Sequence, residues 1–460
     1  MSVHYMRAVQ EIEIAVPIQT FRFEYMLVGR SELSFIREFV LRLLKLGEMT
    51  PDQLAKFLGL SGKEIRAAIS QLSYLKEVSI GSDGCLGLTP KSLRYFDGDS
   101  ARPKVRSVFE RTHTFKFDLF NFDHIHSSQN TGNPLRAIKL IPDPVISSDS
   151  SSHAKQAFLR SYLDVFEKES IRFDGISNLH DVELYKLSDI RKSRDYHVRI
   201  TLRFNLDVER DTIERSCRHK LYDSSAISGA VNEYLSVASE SDNIQSVASA
   251  MDIFEDSFSL DCLTPSGFDG TGYDIKLRSE SSAKSGIEHF IGASTLSENW
   301  EKIYKPIKLL VNKASSGKGG KPQVIWVAPS DRHWLQSDAM FNRVKNLKEL
   351  VKDSNFSLML PVDGKGDLSG IRNWRSQLGE LKEQSEKFCS GFLDGVVELI
   401  IVPEHLAVIV YHLQRPNEAM TIPLGFITED RDMVKKIEDC YEKYLDSYSE
   451  DLESRRLGCL

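Results

Sequence analysis

The 460-residue sequence has no two cysteines at C-x-x-C spacing; its six (Cys85, Cys217, Cys262, Cys389, Cys440, Cys459) are scattered along the chain. This excludes a zinc ribbon and the disulfide framework of a small secreted domain, and it fits reduced thiols in a cytoplasm. No run approaches the about eighteen consecutive apolar residues that a membrane span requires, so no membrane partner is expected. Met1 to Gln10 lacks a basic segment followed by an apolar run, so no secretory leader is expected either. An excess of positive charge is also missing. The net charge is −7, and residues 1–100 hold twelve Lys/Arg against twelve Asp/Glu. Attraction of the whole surface to nucleic acid is thereby excluded, although a local basic face is not.

What is present is an ordinary globular composition, 41% apolar and 27% charged, on a chain too long for one core. The fold class expected is multidomain α+β or α/β, with an N-terminal helical module, a β-containing middle region and a C-terminal mixed α/β domain. Four segments suggest themselves: 1–100, 101–150, 151–300 and 301–460.

Between Glu11 and Leu27 apolar residues alternate twice, first Ile12, Ile14, Val16 and Ile18, then Phe21, Phe23, Tyr25 and Leu27. Two short strands or one bent strand is the reading, with Pro17 at the break. From Glu32 to Leu46, Phe35, Ile36, Phe39, Val40, Leu43 and Leu44 form one helical stripe that ends at Gly47. Thr50-Pro51-Asp52 supplies a cap, a first-turn proline and an early acid for a second helix that stops at Gly59. Ser61-Gly62-Lys63-Glu64 is a capping box opening a third helix. Its inward residues are Ile65, Ala68, Ile69 and Leu72, and its outward ones include Lys63, Arg66, Ser70 and Gln71. Val78 to Leu88, turning at Gly81-Ser82-Asp83-Gly84, reads as a two-stranded hairpin. In this order and spacing, Glu32–Phe96 resembles the winged-helix superfamily over about one-seventh of the chain. The resemblance implies that the third helix enters a major groove, where Lys63, Arg66, Ser70 and Gln71 contact DNA. Equally, such modules bind protein partners.

Asp97 to Val105 reads as a linker. Phe115, Phe117 and Leu119 mark a strand, and Ile138 to Ile141 a short apolar run. His124-Ile125-His126 lacks a third metal ligand at a familiar spacing, so it reads as a surface turn. Ser147 to Ser152 reads as a low-complexity connection ahead of a helix from His153 to Glu169. His197 to Asp207 alternates strictly, with Arg199, Thr201, Arg203 and Asn205 on the polar face; Arg199 and Arg203 there could reach a phosphate backbone. Asp211 to Glu240, with Arg215, Arg218, His219 and Lys220, reads as mostly helical.

In the glycine- and serine-rich stretch Gly267 to Ser285, Asp269 and Asp274-Ile275-Lys276 resemble the acid…acid-x-lysine part of restriction-type nucleases. That resemblance implies two metal-holding acids and a lysine beside the attacking water. Ser315 to Lys321 lacks the G-x4-G-K-[ST] spacing and reads as a basic loop. Strands at 324–327, 356–360, 396–402, 406–412 and 421–427 then alternate in part with helices at 338–351, 371–388 and 430–448, giving a mixed sheet.

At the close, Pro403-Glu404-His405 leads into an apolar strand, and Gly425-Phe426-Ile427-Thr428 into the last helix. This resembles the closing half of a phospholipase D-like domain. The family's chemistry needs that histidine as nucleophile and a lysine two residues on, and Ala407 stands there instead, so the resemblance implies a fold without an active site. A winged helix joined to a degenerate nuclease-like domain also resembles the make-up of bacterial defence proteins.

The leading expectation is a non-catalytic cytoplasmic protein that binds DNA or a protein partner and could self-associate as a homo-oligomer. It needs no cofactor, no catalytic residue and no bound metal. The alternatives are a metal-dependent nuclease or phosphodiesterase using Asp269, Asp274 and Lys276 or His405, and an assembly subunit that meets protein alone.

Overall fold

The structure is a computed structural model. It describes residues 6–31, 33–96, 102–127, 134–173, 179–236, 242–264, 267–280, 286–316, 322–351, 355–363, 367–379 and 386–446. Glu32, most of the linker 97–105 and most of the loop 315–321 lie outside the described residues. The chain is a mixed α and β multidomain protein. Its two compact units are each discontinuous: the larger is built from 1–17, 130–141 and 197–460, the smaller from 18–129 and 142–196. Four consecutive domains are therefore replaced by an interleaved pair. The cause is that strands far apart in sequence pair with one another, a contact that local patterns do not encode.

In the smaller unit, Phe35–Leu46, Pro51–Leu58 and Gly62–Tyr74 are helices, followed by the hairpin Val78–Ile80 and Leu86–Leu88. Both expected helix starts are made by reciprocal caps. The Ser61 backbone N–H donates to Glu64 Oε2 at 2.8 Å, and the Thr50 N–H donates to Gln53 Oε1 at 2.8 Å. Gly59 ends the second helix at φ +66°, a left-handed conformation in which a side chain would be strained. Val40, Leu41, Leu44, Leu54, Ile65, Ile69 and Leu72 fill this module's own core. Beneath it, Glu77 is buried and takes both branches of the Arg37 guanidinium together with the Tyr95 hydroxyl, the last at 2.9 Å.

The rest of the smaller unit is an antiparallel sheet and a helix. The apolar alternation at 11–27 belongs to one strand, Met6–Ser31, and its second half pairs with Val105–Asp118 in a register running from Ile18↔Asp118 to Ser31↔Val105. Odd-numbered Phe21, Phe23 and Tyr25 thus share a face with Phe115 and Phe117, and the helix Ser150–Lys168 covers it with Phe158 and Phe166. The serine run at 147–152 is therefore helical rather than a connection, and buried Ser150 donates to Gln19 Oε1 at 2.6 Å. His124 is likewise no surface turn: its side chain is enclosed beside Phe115 and Phe117, with Nε2 2.9 Å from Glu169 Oε1.

The larger unit centres on a seven-stranded mixed sheet. Its order is Ile287–Ile291, Ile422–Thr428, Leu406–Leu413, Val397–Val402, Val324–Val327, Phe356–Pro361 and Glu386–Cys389. The first five pair antiparallel in succession, and the last three run parallel. The central strands are apolar without alternation because helices cover both faces. Ser297–Ser316, Asp338–Val351 and Leu368–Leu378 pack on the side of Trp326, Leu358 and Ile400. On the other side, Tyr441 of Arg431–Asp446 donates its hydroxyl to Met359 Sδ. Thr212–Cys217, expected as helix, is a strand paired with the second half of Val182–Asp207; the helix of that region is Ser225–Ser236. The pairing offers a backbone ladder that outweighs a weak local helical preference.

Candidate functional site

Two places in the fold gather chemistry-bearing side chains. One is the third helix of the smaller unit. Lys63, Arg66, Ser70 and Gln71 are all exposed, and with exposed Ala67 and Tyr74 they make one stripe along it. Residues 34–96 carry nine Lys/Arg and six Asp/Glu, so this module is more basic than the chain around it. The hairpin contributes no cation. Asp83 at its tip is the one charged residue between Val78 and Leu88, and the Cys85 N–H donated to it lowers its carboxyl below the usual range.

The second place was not anticipated from sequence. Asp331, Glu398 and His412 meet at one edge of the seven-stranded sheet, where Ile287–Ile291, Val324–Val327 and Leu406–Leu413 end and Val397–Val402 and Ile422–Thr428 begin. In open α/β sheets this edge, outside the carboxyl ends of parallel strands, is where sites form. His412 Nδ1 lies 3.1 Å from Asp331 Oδ2, and Nε2 lies 3.2 Å from Glu398 Oε2. Burial opposes the charge on this imidazole, but hydrogen bonds to two carboxylates outweigh it and push the pKa up to about 9. Burial also opposes ionisation of Asp331, yet the hydrogen bond and charge of His412 hold its carboxyl well below the ordinary value. The centre is an imidazolium between two carboxylates.

Every carboxylate oxygen is occupied. Asp331 Oδ2 also accepts from Gln10 Nε2 at 3.0 Å and from the Thr421 hydroxyl at 2.6 Å, and Oδ1 accepts the His333 backbone N–H at 2.8 Å. Glu398 Oε1 accepts from Ser294 Oγ at 2.8 Å, Trp326 Nε1 at 2.9 Å and Trp334 Nε1 at 3.4 Å. Such saturation is what makes buried ions tolerable, and it leaves no lone pair directed at a reacting proton. His333 stands beside them with Nε2 buried and unpartnered at a cavity of about 30 Å³, the size of a single water; burial drives its pKa down to about 4.

The residues expected to carry chemistry are dispersed. His405 is exposed in the turn before Leu406–Leu413, at the opposite end of that strand from His412, because a tight strand connection must lie at the surface. Asp269 caps the helix Gly270–Glu280 through the Gly272 N–H, Asp274 holds Arg7 and Arg278, and Lys276 bonds Asp261 and the Phe258 carbonyl. Among the described residues no group of three or more His, Cys, Asp or Glu is arranged to hold a metal ion. Arg199 is mostly buried and paired with Glu13 and Asp338, so it offers nothing to a phosphate backbone. Arg203 is half-exposed, 3.6 Å from Glu11, on the wall of a large cleft.

The signal for the missed centre was in the strands. Glu398 in Val-Glu-Leu-Ile-Ile-Val and His412 in Ala-Val-Ile-Val-Tyr-His-Leu are the acidic and the basic side chain of two otherwise largely apolar, fully buried runs. A charge in such a run needs a partner, and those partners are distant in sequence.

No protein-family model and no curated protein matches the chain. Among solved structures, a phospholipase D family member, Nuc from Salmonella typhimurium, is similar at 9% identity and a TM-score of 0.23, over 34% of this chain and 92% of that one. NucT from Helicobacter pylori is similar at 12% identity and a TM-score of 0.21, over 35% of this chain and 97% of that one. Among the described residues no helix is long and apolar enough to cross a membrane.

Proposed function

We propose that this chain is a non-catalytic DNA-binding protein in which residues 34–96 work as a winged helix and Gly62–Tyr74 lies in the major groove. The observation that carries this reading is the open stripe of Lys63, Arg66, Ser70 and Gln71 on a helix fixed at its start by a capping box. Arg66 suits the paired acceptors of guanine, Gln71 suits adenine, and the small Ala67 between them lets the helix approach base edges. Lys63, at the helix start, suits a phosphate. The hairpin, which has no cation and carries Asp83 at its tip, limits further backbone contacts, so affinity rests on these few side chains. The saturated charge centre of the larger unit supports the non-catalytic half of the reading. A bacterial defence setting belongs to the same proposal.

The test is binding of the full chain to a duplex library at several salt concentrations, with Lys63→Ala and Arg66→Ala separately. Lys63→Ala is expected to weaken all sequences alike and to reduce the salt slope by about 0.9. Arg66→Ala is expected to cost about 1–3 kcal/mol on preferred sequences and to relax the preference at one base pair. Unchanged affinity and slope in both variants would remove the major-groove contact.

A second reading has its own observation. Phe35, Phe57, Tyr74 and Ile80 of the same module are 69%, 69%, 87% and 64% exposed. Large exposed apolar side chains favour a protein partner, or a second copy in a homo-oligomer. Stable association of the DNA-free chain, lost on Phe57→Ser or Tyr74→Ser, would favour it.

A further inference from the structure

The first helix of the smaller unit, Phe35–Leu46, carries more apolar surface than its own module covers. Val40, Leu41 and Leu44 are buried in the module's core. Beside that sector, Phe35, Ile36, Phe39, Leu43 and Leu46 fall within about 100° of one another around the helix and make a second apolar stripe. Both of its ends are open, Phe35 at 69% and Leu46 at 82% exposure. Between them Phe39 is half-buried, its ring 4.4 Å from that of Phe35. A helix that is apolar on its outer side as well as its core side is ordinarily covered on both.

The stripe is complementary to itself. At its start Ile36 borders a groove of about 290 Å³, floored by Ala67, Ala68 and Leu72 of Gly62–Tyr74. At its end stands the projecting Leu46. A knob at one end and a hole at the other is what a two-fold interface needs, because the same patch then serves both copies.

Charge fixes the direction of the pairing. Glu38 lies in the first turn of the helix, and Arg42 and Lys45 lie toward its end. Within one chain Glu38 is 3.4 Å from Arg42 and 4.0 Å from Arg102, and Lys45 sits over the Phe96 ring. Two parallel copies would bring Arg42 and Lys45 against the same cations of the neighbour and align the two helix dipoles. An antiparallel pair, with its axis level with residues 40 and 41, avoids both costs. It sets the basic end of each helix beside Glu38, and beside Glu64 at the groove, of the other. The same register brings Phe35 to Leu46 and Phe39 to Leu43.

We propose that two copies of this chain associate through Phe35–Leu46, antiparallel, with Leu46 of each copy seated in the groove beside Ile36 of the other. The inference rests on the self-association reading above and names its surface. Gln71 also borders the groove, so the test uses the DNA-free chain.

The experiment is sedimentation of the full chain over a concentration series up to about 100 μM, because one short helix per copy makes a small interface and a weak dimer. Leu46→Glu is expected to weaken association about ten-fold or more, with an unchanged circular dichroism spectrum. Direction is read by mild oxidation of Phe35→Cys and Leu46→Cys chains against the parent. The mixture should give a crosslinked pair and neither variant alone should, since the two Leu46 positions lie about 16 Å apart along the axis, beyond a disulfide. A chain that stays monomeric throughout the series, or a Leu46→Cys chain that crosslinks to itself, would overturn the proposal. So would association that Leu46→Glu leaves intact; if Phe57→Ser or Tyr74→Ser then abolishes it, self-association stands and this surface does not.

Discussion

Replacing His412 with glutamine keeps a side chain that can still donate to one of its two carboxylates, but it removes the cation between Asp331 and Glu398. Carrying an imidazole from 6.5 to about 9 corresponds to about 3 kcal/mol of stability. Removing one partner from a buried ionic centre independently suggests about 3–5 kcal/mol. The sign follows from the raised pKa in the fold. The contribution is complete below pH 6.5, the ordinary value, and is lost as pH rises through about 9. His412→Gln should therefore be about 3 kcal/mol less stable than the parent at pH 6, with the gap closing toward pH 9.5 as the parent loses its own proton. Urea denaturation followed by tryptophan fluorescence reads this directly, because all four tryptophans, Trp300, Trp326, Trp334 and Trp374, belong to the larger unit. With a slope near 3 kcal/mol per molar urea, the midpoint at pH 6 falls by about 1 M. An equal gap at pH 6 and pH 9.5 would mean that His412 carries no charge in the fold, and the account of the centre would fail.

Two other substitutions test the scaffold. Glu77→Gln leaves the Arg37 guanidinium, three-quarters buried, without its carboxylate and should cost about 3 kcal/mol in the helical module. Hydrogen exchange in Phe35–Leu46 and Gly62–Tyr74 measures it, and unchanged protection would refute the role given to this pair. Gly425→Ala places a Cβ 2.5 Å from the Ile409 carbonyl oxygen and 2.8 Å from the Phe290 ring, both fixed by strand pairing. A loss of about 1–3 kcal/mol is expected, and a melting temperature equal to the parent's would contradict it.

What could be read from sequence was what is written locally. Thr50 with Gln53 and Ser61 with Glu64 signal helix starts within four residues, and Val324–Val327 or Asp338–Val351 announce themselves by apolar pattern alone. The strand Thr212–Cys217 was not legible, because its reason for being a strand lies in its partner, Leu202 to Asp207. The same holds for the charge centre. Gln10, Ser294, Asp331, Glu398, His412 and Thr421 come from six separate stretches, and no spacing rule joins them. His405 drew attention through its place in a motif, whereas His412 earns its role by what surrounds it. The nuclease-like acids were misleading for a related reason: Asp274 was read with its neighbour Lys276, but its contacts are to Arg7 and Arg278.

The hydrogen bond from Gln10 to Thr421 spans 411 positions of sequence. During translation the first strand leaves the ribosome roughly 20–80 s before the residue that completes its polar contacts exists, at about 5–20 residues per second. Its sheet neighbours Ile138–Lys139 and Val182–Asp207 are made well before then, but the buried Gln10 amide lacks its hydroxyl partner through the whole interval. The polar closure of the larger unit is therefore a late event in synthesis, even though the strand that carries Gln10 is among the first parts of this sequence to be made.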